Sequence, residues 1–247
     1  MTRRLAIHIG AQKCASSSLQ ASLRLFQNSC KNNSFSFVFL NPAQLRSLSN
    51  ALTQKIESPF RYIDRILSEL TADFSVISHE MLGNRPALVH AIARRAVKHH
   101  GFEHIVVVGY TRLQSSYHVS AFKQWFFRDR KKLREDIAVL KNYDLSWRKF
   151  SALERSLLAL ALVGKDRSWH ANYKKFAAGC TALSPQMTLA SNHIPTKQNP
   201  YMLLEDFFRL SGFECRDDLS AFDVRKNLSF HPAVVHTLSS HFSSLGP

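Results

Sequence analysis

Carboxylates are scarce in this chain and late to arrive. Eighteen Asp and Glu stand against 33 Lys and Arg in 247 residues, a formal net charge of +15. The first acidic side chain is Glu57, after seven basic ones. An excess of this size points to an anionic partner, whether nucleotide, nucleic acid, acidic polymer or lipid surface, without choosing among them. Cysteine is scarce too. Cys14, Cys30, Cys180 and Cys215 form no Cys-x-x-Cys pair and no short Cys/His cluster. That argues against a zinc site or a disulfide framework and suits thiols in a reducing, cytoplasmic compartment. Nor does any apolar run approach the roughly 18 residues a membrane-crossing helix needs. The longest, Leu157 to Val163, has the length of a core helix, so a soluble chain is expected, with peripheral membrane contact left open. An acid-poor start rich in Arg and Ser can also mark an organellar transit peptide; here Leu5 to Ile9 already reads as a strand, leaving almost nothing to cleave.

What is present suffices for a full core: 45% of the residues are hydrophobic and 21% charged, which excludes a disordered chain. Leu5 to Ile9, then Gly10 and a polar loop, then Leu19, Leu23 and Phe26 at helical spacing spell strand, tight loop and amphipathic helix. Phe35 to Leu40 is a second β-rich run, ended by Asn41-Pro42 before a helix-like stretch to about Leu70. Phe74 to Ser78 reads as a third strand, Ala87 to His99 as a basic helix closed by Gly101, and Ile105 to Tyr110 as a buried strand. Helices are then expected over Ser116 to about Val139, Ser146 to Val163 and Trp169 to Ala178. A late strand is expected at Met187 to Ala190, and further helices over Pro200 to Leu210 and His231 to Phe242. Strands alternating with helices imply a parallel sheet. The expectation is a single α/β domain over residues 1–247: a parallel sheet flanked by helices, with a helix-rich second half.

Gly10-Ala-Gln-Lys-Cys-Ala-Ser-Ser-Ser sits where the first strand feeds the first helix, a place where backbone N–H groups and the helix dipole attract an anion. Lys13 adds a positive charge, and Ser16, Ser17 and Ser18 supply short hydroxyl donors. The plain alternative makes Ser16 an ordinary N-cap and Lys13 a solvated loop lysine. A nucleoside-triphosphatase loop needs a second glycine directly before its lysine; none follows Gly10 here. The order Lys13, two residues, then Ser16-Ser17 after a first strand instead resembles the 5'-phosphosulfate-binding loop of sulfotransferases, usually Lys-(Ser/Thr)-Gly-(Ser/Thr)-(Ser/Thr). Cys14 and Ala15 stand at its second and third places.

A second element agrees with the first. Ile105 to Tyr110, Thr111 and Arg112 put an arginine at the carboxyl end of a buried parallel strand, the edge where open α/β sheets bind ligands. Ser120 follows after seven intervening residues. Taken alone, such a pair is commonly structural; together, a planar guanidinium fork and a hydroxyl can grip one anion. Arginine, seven residues, serine is similar to the sulfotransferase element that binds the donor's 3'-phosphate, with Leu113-Gln114 in place of the usual Asn/Asp-Pro. Arg225-Lys226-Asn227 is weakly similar to the family's late Arg-Lys-Gly contact to the same phosphate, a surface charge pair being the alternative.

The resemblance covers roughly residues 5–125. It implies a P-loop-like, nucleotide-kinase-like fold of the sulfotransferase type and 3'-phosphoadenosine-5'-phosphosulfate (PAPS) as co-substrate, with no metal. The phosphosulfate would lie across Lys13, Cys14, Ala15 and Ser16 to Ser18, while Arg112 and Ser120, joined by Arg225 and Lys226, would hold the 3'-phosphate. Lys13 would neutralise charge on the bridging oxygen as the S–O bond breaks. Sulfuryl transfer to a hydroxyl also needs a proton acceptor, and the third strand ends in Ser78-His79-Glu80. Consecutive residues leaving a strand point to opposite sides, so at most one faces the acceptor. Glu80 is favoured and His79 is second; the alternative is a surface pair of Glu80 with a nearby basic residue such as Arg85. The acceptor is open, a glycan or glycolipid among the candidates. The basic run Arg128 to Arg134 is either a solvated helix face or a landing surface for an anionic acceptor, and Trp125 to Phe127 are core or pocket wall. Two other classes remain: a metal-dependent nucleotide or small-molecule kinase, and a non-catalytic anion- or nucleic-acid-binding protein. No nucleic-acid partner is expected, since no basic face with interleaved aromatics or named RNA-binding motif is found.

Overall fold

The computed structural model describes residues 2–10, 15–30, 34–53, 58–111, 130–162, 169–193, 203–215 and 218–224. In chain order its elements are β1 (Arg4–His8), α1 (Ser16–Ser29), β2 (Phe35–Phe39), α2 (Pro42–Thr53), α3 (Ser58–Ser68), β3 (Phe74–Ser78), α4 (Pro86–His100), β4 (His104–Thr111), α5 (Arg130–Asn142), α6 (Ala152–Leu162), α7 (Trp169–Ala182), β5 (Met187–His193) and α8 (Leu203–Ser211). Short 3₁₀ turns cover Glu80–Asn84, Trp147–Lys149 and Leu219–Phe222. The described residues fall into two compact units, one within Met1–Thr111 and Trp169–Lys226, the other within Arg112–Ser168 and Asn227–Pro247.

The first unit is an α/β layer structure. Its five strands are all parallel, in the order β2-β3-β1-β4-β5. Alternation along each strand splits the core in two. Leu5, Ile7, Ile77, Ile105 and Val107 face α2, α3, α4 and α7, whereas Ala6, Val76, Val108 and Tyr110 face α1 and α8. β1 is the central strand, and Leu5, Ile7 and Ile9 are fully buried, worth roughly 1.5–3 kcal/mol each in transfer free energy. The chain moves from β1 to β2 across the α1 face, and from β3 to β4 across the opposite face. Connections diverging in this way leave a crevice at the carboxyl ends of adjacent strands, here above β3, β1 and β4.

In the second unit, as described, α5 packs with α6 around Trp147. Ile137 and Leu140 pack with Trp147, Leu158 and Leu162, and the buried Arg155 donates from Nε to the Trp147 carbonyl at 2.8 Å while its guanidinium lies over that indole.

Most expected elements that fall within the described residues stand close to their expected bounds, with two differences; of the helix expected over Ser116 to about Val139, only residues 130–139 are described, and they lie in α5. The helix-like stretch before Leu70 is two helices, α2 and α3. The single helix expected over Ser146 to Val163 is a 3₁₀ turn followed by α6, because Ser151 and Glu154 form a reciprocal cap: the Ser151 N–H donates to Glu154 Oε2 at 2.7 Å and the Glu154 N–H to Ser151 Oγ at 3.3 Å. The helix expected at His231 to Phe242 lies outside the described residues. No helix among the described residues is long and apolar enough to cross a membrane. Cys30, Cys180 and Cys215 form no disulfide.

α3 and α4 are tied by one carboxylate. Asp64 receives the Arg95 guanidinium through both oxygens and the His100 Nε2 at 3.0 Å, and the Arg95 hydrogen bonds hold its carboxyl below the usual range. Asp64→Asn removes that charge from both partners and is expected to lower stability by about 1 kcal/mol, read as a fall of a few degrees in Tm by calorimetry.

Candidate functional site

The site builds on the carboxyl end of β1. Beyond His8 the strand stays pinned on both sides: the His79 N–H donates to the His8 carbonyl at 3.4 Å, and the Ile9 N–H to the Val108 carbonyl at 2.9 Å. Two close approaches follow. A Cβ on Gly10 would collide with Ser16 Oγ and come within 2.8 Å of His8 Nε2. One on Gly83, in the 3₁₀ turn after β3, would lie 2.6 Å from the Ile9 carbonyl oxygen. Glycine at both positions lets the start of α1 and the turn bearing Glu80 close on the same few atoms of backbone.

Ala15, the residue before α1, is left-handed at φ 56 and ψ 14 and caps the helix with no side-chain hydrogen bond. Its carbonyl receives the Ser18 N–H at 2.9 Å and the Leu19 N–H at 3.0 Å, so the turn is formed although its residue carries a Cβ. The left-handed region costs a non-glycine residue on the order of 1 kcal/mol. Ser16 is therefore the first helical residue and not the N-cap. Its hydroxyl is buried and without a hydrogen-bond partner, while Ser17 and Ser18 are half-buried beside it. The N–H groups of Ser16 and Ser17 precede the first of these bonds to the Ala15 carbonyl and have no acceptor within the helix, and the first turn of α1 carries no acidic side chain.

At the end of β3, His79 is buried and its ring stacks on Phe39 with centroids 5.4 Å apart. Its Nδ1 accepts the Met81 N–H at 2.9 Å, which leaves the proton of the neutral ring on Nε2. Burial, then the charge of Arg85, lowers its pKa. Glu80 opens the 3₁₀ turn, is partly exposed, and makes no ion pair with Arg85 among the described residues. Arg85, the example named for a surface pair, is therefore not paired with Glu80. Of the residues singled out from the sequence, Ala15, Ser16, Ser17, Ser18, His79 and Glu80 come together around β1 and β3. Lys13, Cys14, Arg112, Ser120, Arg225 and Lys226 lie outside the described residues, as do Trp125 to Phe127. Arg112 follows directly on Thr111, the last residue of β4.

No family model matches the chain, and no curated protein matches it.

Sequence reasoning missed the polar layer beneath the loop. His8 and Ser78, register partners at the ends of β1 and β3, are both fully buried, with His8 Nδ1 and Ser78 Oγ 2.7 Å apart. Gln20, one turn into α1, donates from Nε2 to Ser78 Oγ at 3.2 Å. The signal was a histidine and a serine at core-facing places in otherwise apolar strands. A second buried polar group sits on β5 and α8, where Asn192 Nδ2 donates to the Asp206 carboxylate at 3.1 Å and Arg209 pairs with it.

Two substitutions of small residues should act in opposite directions. Ala15→Gly relieves the left-handed strain and is expected to raise stability by about 0.5–1 kcal/mol. Gly83→Ala forces the turn off the Ile9 carbonyl and should lower it by about 1–3 kcal/mol; chemical denaturation reads both.

The buried histidine also predicts a pH dependence. Desolvation, then the neighbouring His79, lowers the His8 imidazole from 6.5 to about 3. Between those values the unfolded chain binds a proton that the folded chain refuses, so stability falls as the pH falls. The slope from this one group is at most about 1.4 kcal/mol per pH unit. Denaturant melts from neutral pH down to about pH 4 should show this decline, with His8→Gln flattening it; a flat wild-type profile would contradict a buried neutral His8.

Proposed function

We propose that this protein is a PAPS-dependent sulfotransferase, with the loop after β1 holding the donor's 5'-phosphosulfate. The observation that carries this reading is Ala15: at the place the sulfotransferase loop gives to glycine, the backbone has the left-handed turn that glycine favours. The turn leads straight into a helix whose first hydroxyl is buried and unclaimed. Further support comes from the packing of the β3 turn against the Ile9 and Gly10 backbone, which sets a carboxylate-bearing turn beside the proposed phosphosulfate loop.

In this reading the acceptor hydroxyl oxygen attacks sulfur, its proton passes to Glu80, the bond from sulfur to the bridging oxygen breaks, and adenosine 3',5'-bisphosphate departs. Lys13 neutralises the charge gathering on that bridging oxygen, and the Ser16 to Ser18 hydroxyls with the first N–H groups of α1 hold the sulfuryl and phosphate oxygens. Arg112 and Ser120 grip the 3'-phosphate, with Arg225 and Lys226 adding charge. Glu80 takes precedence over His79 as proton acceptor, because His79 commits Nδ1 to the Met81 N–H and bears its proton on the other nitrogen. The acceptor is a hydroxyl compound, and the excess of basic side chains favours an anionic one such as an acidic glycan.

Titration calorimetry tests the reading. Adenosine 3',5'-bisphosphate is expected to bind with micromolar affinity whether or not magnesium is present. A preference for ATP with magnesium would overturn the assignment in favour of a kinase. With a panel of hydroxyl acceptors and PAPS, Lys13→Ala and Glu80→Gln should each lower kcat about a hundredfold or more, and His79→Ala only a few-fold. Unchanged turnover in Lys13→Ala removes that residue from the mechanism.

A further inference from the structure

The carboxyl end of β1 holds an arrangement that core packing alone does not explain. His8 is fully buried, its ring 6.2 Å from that of Tyr110 and 6.0 Å from that of Phe207. Its Nδ1 lies 2.7 Å from Ser78 Oγ, and that oxygen already receives a proton from Gln20. Ser78 is fully buried as well. Among the described residues, the acceptor within reach of its hydroxyl proton is His8 Nδ1, and a buried hydroxyl donates where it can. The imidazole proton therefore belongs on Nε2. That nitrogen lies close to Gly10 and has no partner among the described residues; Ser16 Oγ crowds the same glycine and has none among them either. Leaving a buried polar atom unmatched costs about 1–3 kcal/mol, and here two such atoms flank one Cα, directly beneath the loop.

We propose that His8 is a positioning residue for the anion loop: when an anion occupies the loop, His8 Nε2–H donates to Ser16 Oγ and so turns the Ser16 hydroxyl proton onto the anion. The inference rests on the reading that residues 10–18 bind a phosphosulfate or a chemically similar oxyanion. The resulting chain has one direction throughout, from the Gln20 amide to Ser78, from Ser78 to His8, from His8 to Ser16, and from Ser16 to the ligand. Each hydroxyl in it both accepts and donates, which strengthens the terminal bond in a dry setting. A charged imidazole would break the chain, since both ring nitrogens would then donate and the Ser78 proton would have no acceptor. Burial keeps the ring neutral at physiological pH.

The test is a double-mutant cycle on the full-length protein, read by calorimetry with adenosine 3',5'-bisphosphate and with inorganic pyrophosphate, which needs the loop but no adenosine contacts. Ser16→Ala and His8→Phe are each expected to weaken binding about tenfold. The double variant should be no weaker than Ser16→Ala alone, because His8 acts through Ser16. Losses that multiply in the double variant would overturn the proposal. His8→Gln, whose amide donates from a similar point, should recover most of the affinity, and it guards against a His8→Phe protein that fails to fold. Independently of any ligand, a long-range proton–nitrogen NMR spectrum should show the Nε2–H tautomer for His8; the Nδ1–H tautomer would sink the idea. If pyrophosphate binds with the expected coupling but adenosine 3',5'-bisphosphate does not bind, the sulfotransferase reading fails and this inference stands. If neither binds the wild type, both fall.

Discussion

The end of β1 is closed in from two sides at once, and the rest of the site depends on that crowding. On one side, Gly10 has Ser16 Oγ and His8 Nε2 against its Cα; on the other, Gly83 brings the turn after β3 onto the Ile9 and Gly10 carbonyls. A Cβ at Gly83 would force backbone to move, and one at Gly10 would displace the Ser16 and His8 side chains. Because β1 is the central strand, paired with β3 and β4 over its whole length, it has no freedom to yield. The helix start and the carboxylate-bearing turn are therefore set by the sheet, and whatever ligand enters meets them already in place.

Charge distribution follows the same division. Two acidic residues inside the first unit are neutralised at a distance from the β1 loop in sequence and in their bonding: Asp64 by Arg95 and His100 between α3 and α4, and Asp206 by Arg209 on α8. The first helix opens with three serines and no carboxylate. An uncompensated helix N-terminus in a chain of net charge +15 presents a positive field at the place where the backbone is also most tightly shaped. Glu80 is the exception, a carboxylate at this end of the sheet that makes no ion pair with Arg85.

Much of this was legible in the sequence, and what was not has identifiable physical reasons. Short, nearly continuous apolar runs in Leu5 to Ile9, Phe74 to Ser78 and Ile105 to Tyr110 locate three central strands, and Leu19, Leu23 and Phe26 locate the helix that covers one face. Sequence order also puts the serines, His79-Glu80 and Arg112 at carboxyl ends of strands. The Ser151 to Glu154 cap was readable as a helix start inside an apolar stretch, but the apolar periodicity on either side masked it. The surroundings of His8 were not readable, because they depend on which residue of β3 stands beside it and on how closely α1 approaches Gly10. Those are tertiary facts that a strand pattern does not contain. The absence of an ion pair between Glu80 and Arg85, five residues apart, is of the same kind.

Ala15 shows how a departure from a motif should be weighed. By residue type, alanine for glycine in an anion loop is a loss, since a left-handed turn disfavours any side chain. The turn nevertheless forms, and the energy that maintains it comes from elsewhere in α1. Leu19, Leu23 and Phe26 are buried against Ala6, Phe35, Phe74 and Val108, and each such side chain contributes roughly 1.5–3 kcal/mol of transfer free energy, more than the turn costs. Packing of the apolar face holds the helix in one position, and the residue before it must take whatever backbone angles connect it to β1. What the motif requires is the conformation, and glycine is only the cheapest way for a sequence to supply it.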